Sequence, residues 1–528
     1  AVFPGTDRFE IRRCLGSGSF GTVYEAFDRE RTARVALKLP HVASAQGLFL
    51  FKQEFRALAE GAHVNLATLF DLLADGDRWF FTMELVDGVH LLDHLKPPGR
   101  PRSTDERPTG VWSDPEDPPP GPGEVPDYGR VRSVMRQLAE GRVARHAGGR
   151  LHRDLKPSNV LVDRGGRVVI LDFGLITDME ETSPGEPGGP LAGTPAYMAP
   201  EQIAGHPATE ASDWYSVGVL LYQVLTGQLP FPDSPRAMFS QKLQMDPLEP
   251  RLLEPGTPDD LGELCTALLR RDPSARPQGP EVLHRLREHP DVSRAPMGTY
   301  PRSSSLVGRE EELGVLLEGF RLSRARRTVV ALLRGDSGTG KSSLVHAFRR
   351  EVRKLDARTI VLLGRCYEQE TVPFKALDSL VDALSQHLKR LPSGEAAALL
   401  PRGVQALARL FPVLDQVPSI REMPPEAGEP EPQALRRRAF AALGEILRRM
   451  AERGPVVLII DDIHWGDLDS AILLSDLLRG PEPPRIMLAL SCRSDEARDS
   501  PVMRELIPEL VETATILQDV ELRPLAAP

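Results

Sequence analysis

Eight consecutive residues, His152-Arg153-Asp154-Leu155-Lys156-Pro157-Ser158-Asn159, place a carboxylate, an ammonium and a carboxamide close together, and Asp172-Phe173-Gly174 follows a hairpin signal at Gly165-Gly166. That combination constrains the chain more than any other. Phosphoryl transfer needs positioning and charge neutralisation more than covalent chemistry. Asp154 is suited to orient a substrate hydroxyl and accept its proton, and Lys156 to balance charge on the migrating group. Asn159 and Asp172 are hard oxygen ligands of the kind Mg²⁺ takes. A surface turn would explain each acidic residue singly, but not their order and spacing.

Upstream stand further pieces of the same chemistry. Gly16-Ser17-Gly18-Ser19-Phe20-Gly21 lies between two strand-like runs, where glycines let the backbone close over phosphates. Because it does not open a helix, it is a poor dinucleotide-binding turn. Val35-Ala36-Leu37-Lys38 reads as a strand ending in a lysine aimed at an anionic partner. Glu54 falls on an amphipathic helix near 48–60, where it could hold that lysine against phosphate oxygens. Taken singly, an edge lysine and a helix-surface glutamate are the blander readings.

Together these residues make the stretch 9–289 resemble a eukaryotic-type serine/threonine protein kinase. The resemblance implies a two-lobed fold with ATP in its cleft. Nucleotide-binding positions would be Gly16, Ser17, Gly18, Ser19, Phe20, Gly21, Val23, Ala36 and Lys38, with Met83, Glu84 and Val86 as gatekeeper and hinge. Catalysis would fall to Lys38, Glu54, Asp154 and Lys156, and the metal to Asn159 and Asp172. Gly193-Thr194-Pro195-Ala196-Tyr197-Met198-Ala199-Pro200-Glu201 matches the segment that docks the acceptor, and Thr194 with Lys156 points to Ser/Thr rather than Tyr hydroxyls. Asp213-Trp214-Tyr215-Ser216-Val217-Gly218 matches the helix that anchors the catalytic loop, and Arg276 the ion-pair partner of Glu201. Arg153 before Asp154 goes with activation-loop control, with Thr182 and Ser183 as acceptor candidates. One departure concerns Arg145, where the family usually has an apolar residue. Either Val143 packs inward instead, or Arg145 snorkels, or the kinase half is impaired.

A second constellation lies in the C-terminal half. The apolar run 329–333 enters Gly335-Asp336-Ser337-Gly338-Thr339-Gly340-Lys341-Ser342-Ser343 and then an apolar helical stretch, the full phosphate-loop pattern in its strand–loop–helix context. Backbone amides would cradle the β-phosphate, Lys341 would reach the β and γ oxygens, and Ser342 would ligate Mg²⁺. The run 456–460 ends in Asp461-Asp462, of which Asp461 would hold the metal shell and Asp462 polarise a water. With Leu306-Val307-Gly308-Arg309-Glu310 and His464-Trp465-Gly466-Asp467, this half resembles the AAA-type ATPase module of signalling NTPases. The resemblance makes Arg493 a sensor of the γ-phosphate. The lid and winged-helix parts of that family are not found in the sequence.

The expected architecture is therefore two domains, α+β and then α/β. A tail at 1–8 precedes a bilobal kinase fold at 9–289; a linker at 290–304 leads to a P-loop NTPase parallel sheet flanked by helices at 305–528, incomplete at its C-terminus. Residues 97–127 hold ten prolines, seven acidic residues and three arginines, a composition that cannot bury enough apolar surface to order itself and reads as a disordered insertion. At 528 residues with a net charge of -10, the chain carries no broad basic face for nucleic acid. Its four scattered cysteines suit a reduced, cytoplasmic protein, and no apolar run approaches a membrane span. It opens without methionine, which reads as a fragment or processed product. The expected cofactors are ATP and Mg²⁺, and the expected partners are protein substrates with Ser/Thr acceptors. Self-association through the NTPase module is a further expectation. The competing reading is a nucleotide-binding signalling scaffold with an impaired kinase half.

Overall fold

The computed structural model describes residues 3–18, 21–41, 44–59, 63–76, 78–96, 126–147, 151–152, 154–171, 194–232, 234–287, 308–325, 327–423, 431–479, 483–497, 499–513 and 516–523. Most of the insertion, the linker, Ser19, Phe20, Arg153, Asp172, Thr182 and Ser183 lie outside them. The chain divides into two units, one built mainly from residues 1–295 and the other mainly from 296–528.

The first unit begins with a sheet in which β1 (Phe9–Gly18), β2 (Gly21–Asp28), β3 (Ala33–Pro40), β5 (Arg78–Glu84) and β4 (Leu69–Asp75) lie side by side in that order. The glycine-rich segment is the β1–β2 hairpin, with Ser17 opposite Thr22. Antiparallel register sets Val23 beside Lys38, and Ala36 beside Met83. Helix α1 (Ala45–Ala59) buries Phe51 and Phe55 against Phe81 of β5, with ring centroids 5.0 and 5.7 Å away. Its polar residue Glu54 is thereby fixed on the face turned to the sheet.

The remainder of the unit is mostly helical. After β6 (Gly88–His90) and α2 (Leu91–Leu95) comes α3 (Tyr128–Ala147), then the antiparallel hairpin β7 (Val160–Asp163) and β8 (Val168–Ile170), turned through Gly166 at φ 82°. Helices α4 (Pro200–Ile203), α5 (Glu210–Thr226), α6 (Pro235–Gln244), α7 (Pro250–Leu253), α8 (Asp259–Leu268) and α9 (Gly279–Arg285) complete it. Helix α5 is buried almost throughout, because Trp214, Tyr215, Val217, Leu220 and Leu221 cover all of its sides and not a single stripe. It is the post to which the loop at His152 and the segment at Tyr197 are bonded, through Asp213 and Ser216.

The second unit has a five-stranded, all-parallel sheet. Its strands are β9 (Val329–Gly335), β10 (Ile360–Arg365), β11 (Val456–Asp461), β12 (Met487–Cys492) and β13 (Ile516–Leu522), in spatial order β10-β11-β12-β9-β13. The sheet is flanked by helices that include α10 (Glu310–Arg324), α11 (Lys341–Leu355), α12 (Lys375–Arg390), α13 (Pro432–Arg453), α14 (Leu468–Arg479) and α15 (Pro501–Thr513). The apolar runs 329–333 and 456–460 become β9 and β11, which are buried on both faces, whereas β10 is half-buried at the sheet edge. Strand β13 has no such run. It is an edge strand whose Ile516, Gln518 and Val520 alternate with exposed Leu517, Asp519 and Glu521, so it lacks the apolar run.

Candidate active site

Lys38 leaves β3 inside the first unit and meets Glu54 of α1, Nζ to Oε1 2.5 Å, with both side chains buried. The pairing needs α1 to be seated by Phe51 and Phe55, so one aromatic cluster decides whether the lysine is held. Met83 is buried on β5, and Val86 is half-buried just beyond it. Glu84 is ion-paired with Arg167 of the β7–β8 hairpin and takes a backbone bond from its amide to Thr68 O at 2.8 Å.

Asp154 is the hub of the catalytic loop. One carboxylate oxygen accepts both the amide and the hydroxyl of Thr194, each at 3.0 Å, while Lys156 Nζ lies 2.8 Å from the other oxygen. Lys156 also donates to the Thr194 hydroxyl at 3.1 Å, closing a triangle of charge-assisted bonds. Asn159 is buried and turns its amide to Asp154 O at 2.8 Å. Its own carbonyl accepts from Leu171 at 2.7 Å, the residue before Asp172, which itself lies outside the described residues.

The loop is clamped from below. Asp213 on α5 accepts the His152 amide at 3.0 Å and lies 2.9 Å from His146 Nε2. It also forms an ion pair with Arg142, whose side chain is 0 % exposed. Arg145 is 4 % exposed, so it does not snorkel, and Val143 is only half-buried, packed against the core. Arg142, one helical turn before Arg145, forms an ion pair with the anchoring aspartate. Nothing in its motif marked it, because a charge at a buried helix position reads as an error until its partner is seen.

Glu201 and Arg276 pair bidentately at 2.7 and 2.8 Å. The guanidinium also donates to the carbonyls of Arg270 (2.7 Å), Ala211 (2.8 Å) and Arg271 (3.0 Å), so all five of its N–H groups are used. Burial alone would raise the Glu201 carboxyl. Arg276 and the Ser212 hydroxyl outweigh it and hold the carboxyl below its ordinary value.

In the second unit the phosphate loop joins β9 to α11, with Gly338 at φ 80° and Gly340 at φ 91°, a left-handed region costly for any residue with a Cβ. The α11 N-terminus faces the loop, as anion binding requires. Lys341 donates to the carbonyls of Gly335 (2.7 Å) and Asp336 (2.9 Å), while Ser343 is exposed beside it. Ser342 Oγ reaches Asp461 at 3.2 Å, and Ser491 bonds the other oxygen of Asp461. That pair of hard oxygens at a helix N-terminus is a donor set that fits Mg²⁺. Asp462, at φ 55°, is ion-paired with Arg365 at 2.9 Å, and Arg493 with Glu496 at 2.7 Å. Arg365 carried no signal in the sequence that tied it to Asp462.

The first unit thus holds a lysine–glutamate pair beside a glycine-rich hairpin, an aspartate–lysine–asparagine loop and a segment bonded to that aspartate. Residues 9–289 match the protein kinase domain model, more than half of the chain, and the chain belongs to that family. Residues 305–489 match the AAA ATPase domain model. Among curated proteins the chain is 35% identical to the serine/threonine-protein kinase pkn2 of Myxococcus xanthus over 287 residues, 52% of this chain and 31% of that one. It is 33% identical to PknL of Mycobacterium tuberculosis over 273 residues, 51% of this chain and 62% of the relative, and 31% identical to PknA of the same organism over 277 residues, covering 51% and 58%. The matches thus span about a third to three fifths of these relatives. Both domain classes use ATP. No helix among the described residues is long and apolar enough to cross a membrane.

Proposed function

We propose that this chain transfers the γ-phosphate of ATP to serine and threonine hydroxyls of proteins, and that its C-terminal half is an ATP-binding regulatory module in a signalling pathway. The observation that carries the reading is the closed triangle of Asp154, Thr194 and Lys156. It ties the proton-accepting carboxylate to the segment that receives the acceptor, so a hydroxyl docked there lies within reach of Asp154.

In this reading Lys38, steadied by Glu54, holds the ATP phosphates, and the Ala36 and Met83 side chains line the adenine pocket with Val23. Asn159 and Asp172 would hold Mg²⁺, which when bound neutralises phosphate charge. Lys156 stabilises negative charge on the moving group, and Asp154 accepts the hydroxyl proton. In the second unit Ser342 and Asp461 would hold Mg²⁺, and Lys341 would exchange its loop carbonyls for phosphate oxygens. Asp462 and Arg493 would act in hydrolysis only after leaving Arg365 and Glu496. A secondary ATPase activity, self-association through this module and a cytoplasmic location belong to the same proposal. The four free cysteines accord with the last of these.

The competing scaffold reading rests on Arg145, buried in α3, and the Lys38–Glu54 pair and the Asp154 triangle favour the enzyme over it. Incubation with γ-labelled ATP, Mg²⁺ and a generic Ser/Thr substrate tests the proposal, with Asp172→Asn as control. Equal incorporation by wild type and control would defeat it.

A further inference from the structure

Lys242, on α6, is 1 % exposed, although it belongs to no motif and its charge has no obvious use. Its ammonium donates to three backbone carbonyls of one short segment: Pro195 O at 3.1 Å, Ala196 O at 2.7 Å and Met198 O at 2.8 Å. An ammonium has three N–H groups, and all three are spent here. The remaining carbonyl, Tyr197 O, accepts from Ser216 of α5 at 2.9 Å, and the Tyr197 hydroxyl donates to Gln223 at 2.9 Å. Nζ also lies 5.4 Å from the centre of the Tyr215 ring, on the axis of the post that carries the catalytic loop.

Burying an ammonium with only neutral acceptors is costly, and burial does push this one down to about 7. A Met or Leu of similar length would fill the space without that cost. What only a lysine supplies is a single point that gathers three carbonyls of one four-residue segment and fixes the curvature of its backbone. That backbone begins at Thr194, which is bonded to Asp154. The segment is therefore held at one end by the catalytic carboxylate and along its length by α6.

We propose that Lys242 is a positioning residue for the protein acceptor: it fixes the segment 194–198 in the shape that sets an incoming Ser/Thr peptide against Asp154, without taking part in ATP binding. The inference rests on the kinase reading above and names what sets acceptor affinity within it. A merely structural lysine would alter stability and leave the balance between the two substrates unchanged.

Steady-state kinetics of the full chain with a generic Ser/Thr peptide separate these cases. Lys242→Met should raise KM for the peptide about tenfold or more, with KM for ATP and the rate of ATP hydrolysis without peptide within about twofold of wild type. Lys242→Gln, which keeps two N–H groups, should fall between them. Folded variants with wild-type peptide KM, or a loss shared equally by both substrates, would overturn the assignment. So would failure of both variants to fold, since Lys242 would then serve stability alone. A wild-type chain that phosphorylates no peptide would instead refute the kinase reading itself, a distinguishable result.

Discussion

Thr194 gives both its amide and its hydroxyl to the same oxygen of Asp154, at 3.0 Å each, across forty positions of sequence. The proposed docking segment and proton acceptor are thus joined in one hydrogen-bonded unit. Asp154→Asn should lower kcat by about 10²- to 10⁴-fold, as loss of a positioned base does, with little change in KM for ATP. Thr194→Ala keeps the amide bond and should cost less, about tenfold, mostly in the peptide term. Initial-rate measurements with labelled ATP check both.

In the proposed reaction the buried Lys38–Glu54 pair holds the ATP phosphates. Lys38→Met should lower kcat by about 10²- to 10³-fold, the usual loss when one preorganised donor to a developing charge is removed. Glu54→Gln should follow in the same direction with a smaller loss, because Lys38 stays present but is no longer steered. A Glu54→Gln variant with unchanged turnover would show that the pair is structural only.

Removing one partner of a buried ion pair strands the other, which costs about 3–5 kcal/mol. Arg142→Leu should therefore destabilise the first unit by about that amount, and Asp213→Asn with Arg142→Leu should recover part of the loss. Urea unfolding followed by tryptophan fluorescence reads it, since Trp214 sits beside His146 with ring centroids 5.6 Å apart.

Glu201 is held below its ordinary carboxyl value despite its burial, through Arg276 and Ser212. A depressed carboxyl contributes stability above its unfolded value, about 4.3, and loses it as pH falls through the folded value. The stability gap between wild type and Glu201→Gln should be widest at neutral pH and close progressively in acid below that point. Denaturation curves collected across that range would show no narrowing if the carboxylate were not the ionised partner of Arg276.

Lys341 rests on its own loop carbonyls and is free to move to a phosphate. Lys341→Ala should remove nucleotide binding by the second unit and leave that of the first. Equilibrium dialysis with labelled ATP would then register one class of site where wild type has two. If the second unit regulates the first as proposed, autophosphorylation should change in the same variant, and unchanged autophosphorylation would defeat that part of the proposal.

Sequence alone determined the parts and their order. Lys38, Asp154, Lys156, Asn159, Gly335 to Ser343 and Asp461 stood out because their chemistry demands particular residue types at close spacing, and β9 and β11 because a strand buried on both faces is written as a continuous apolar run. What the sequence could not hold was the pairing of residues far apart along the chain. Arg142 read as one charge among several until Asp213 was brought beneath it, Arg365 until Asp462 turned toward it, and Lys242 until three carbonyls converged on its ammonium. A buried charge is intelligible only with its partner, and the partner is chosen by packing, which no local pattern records.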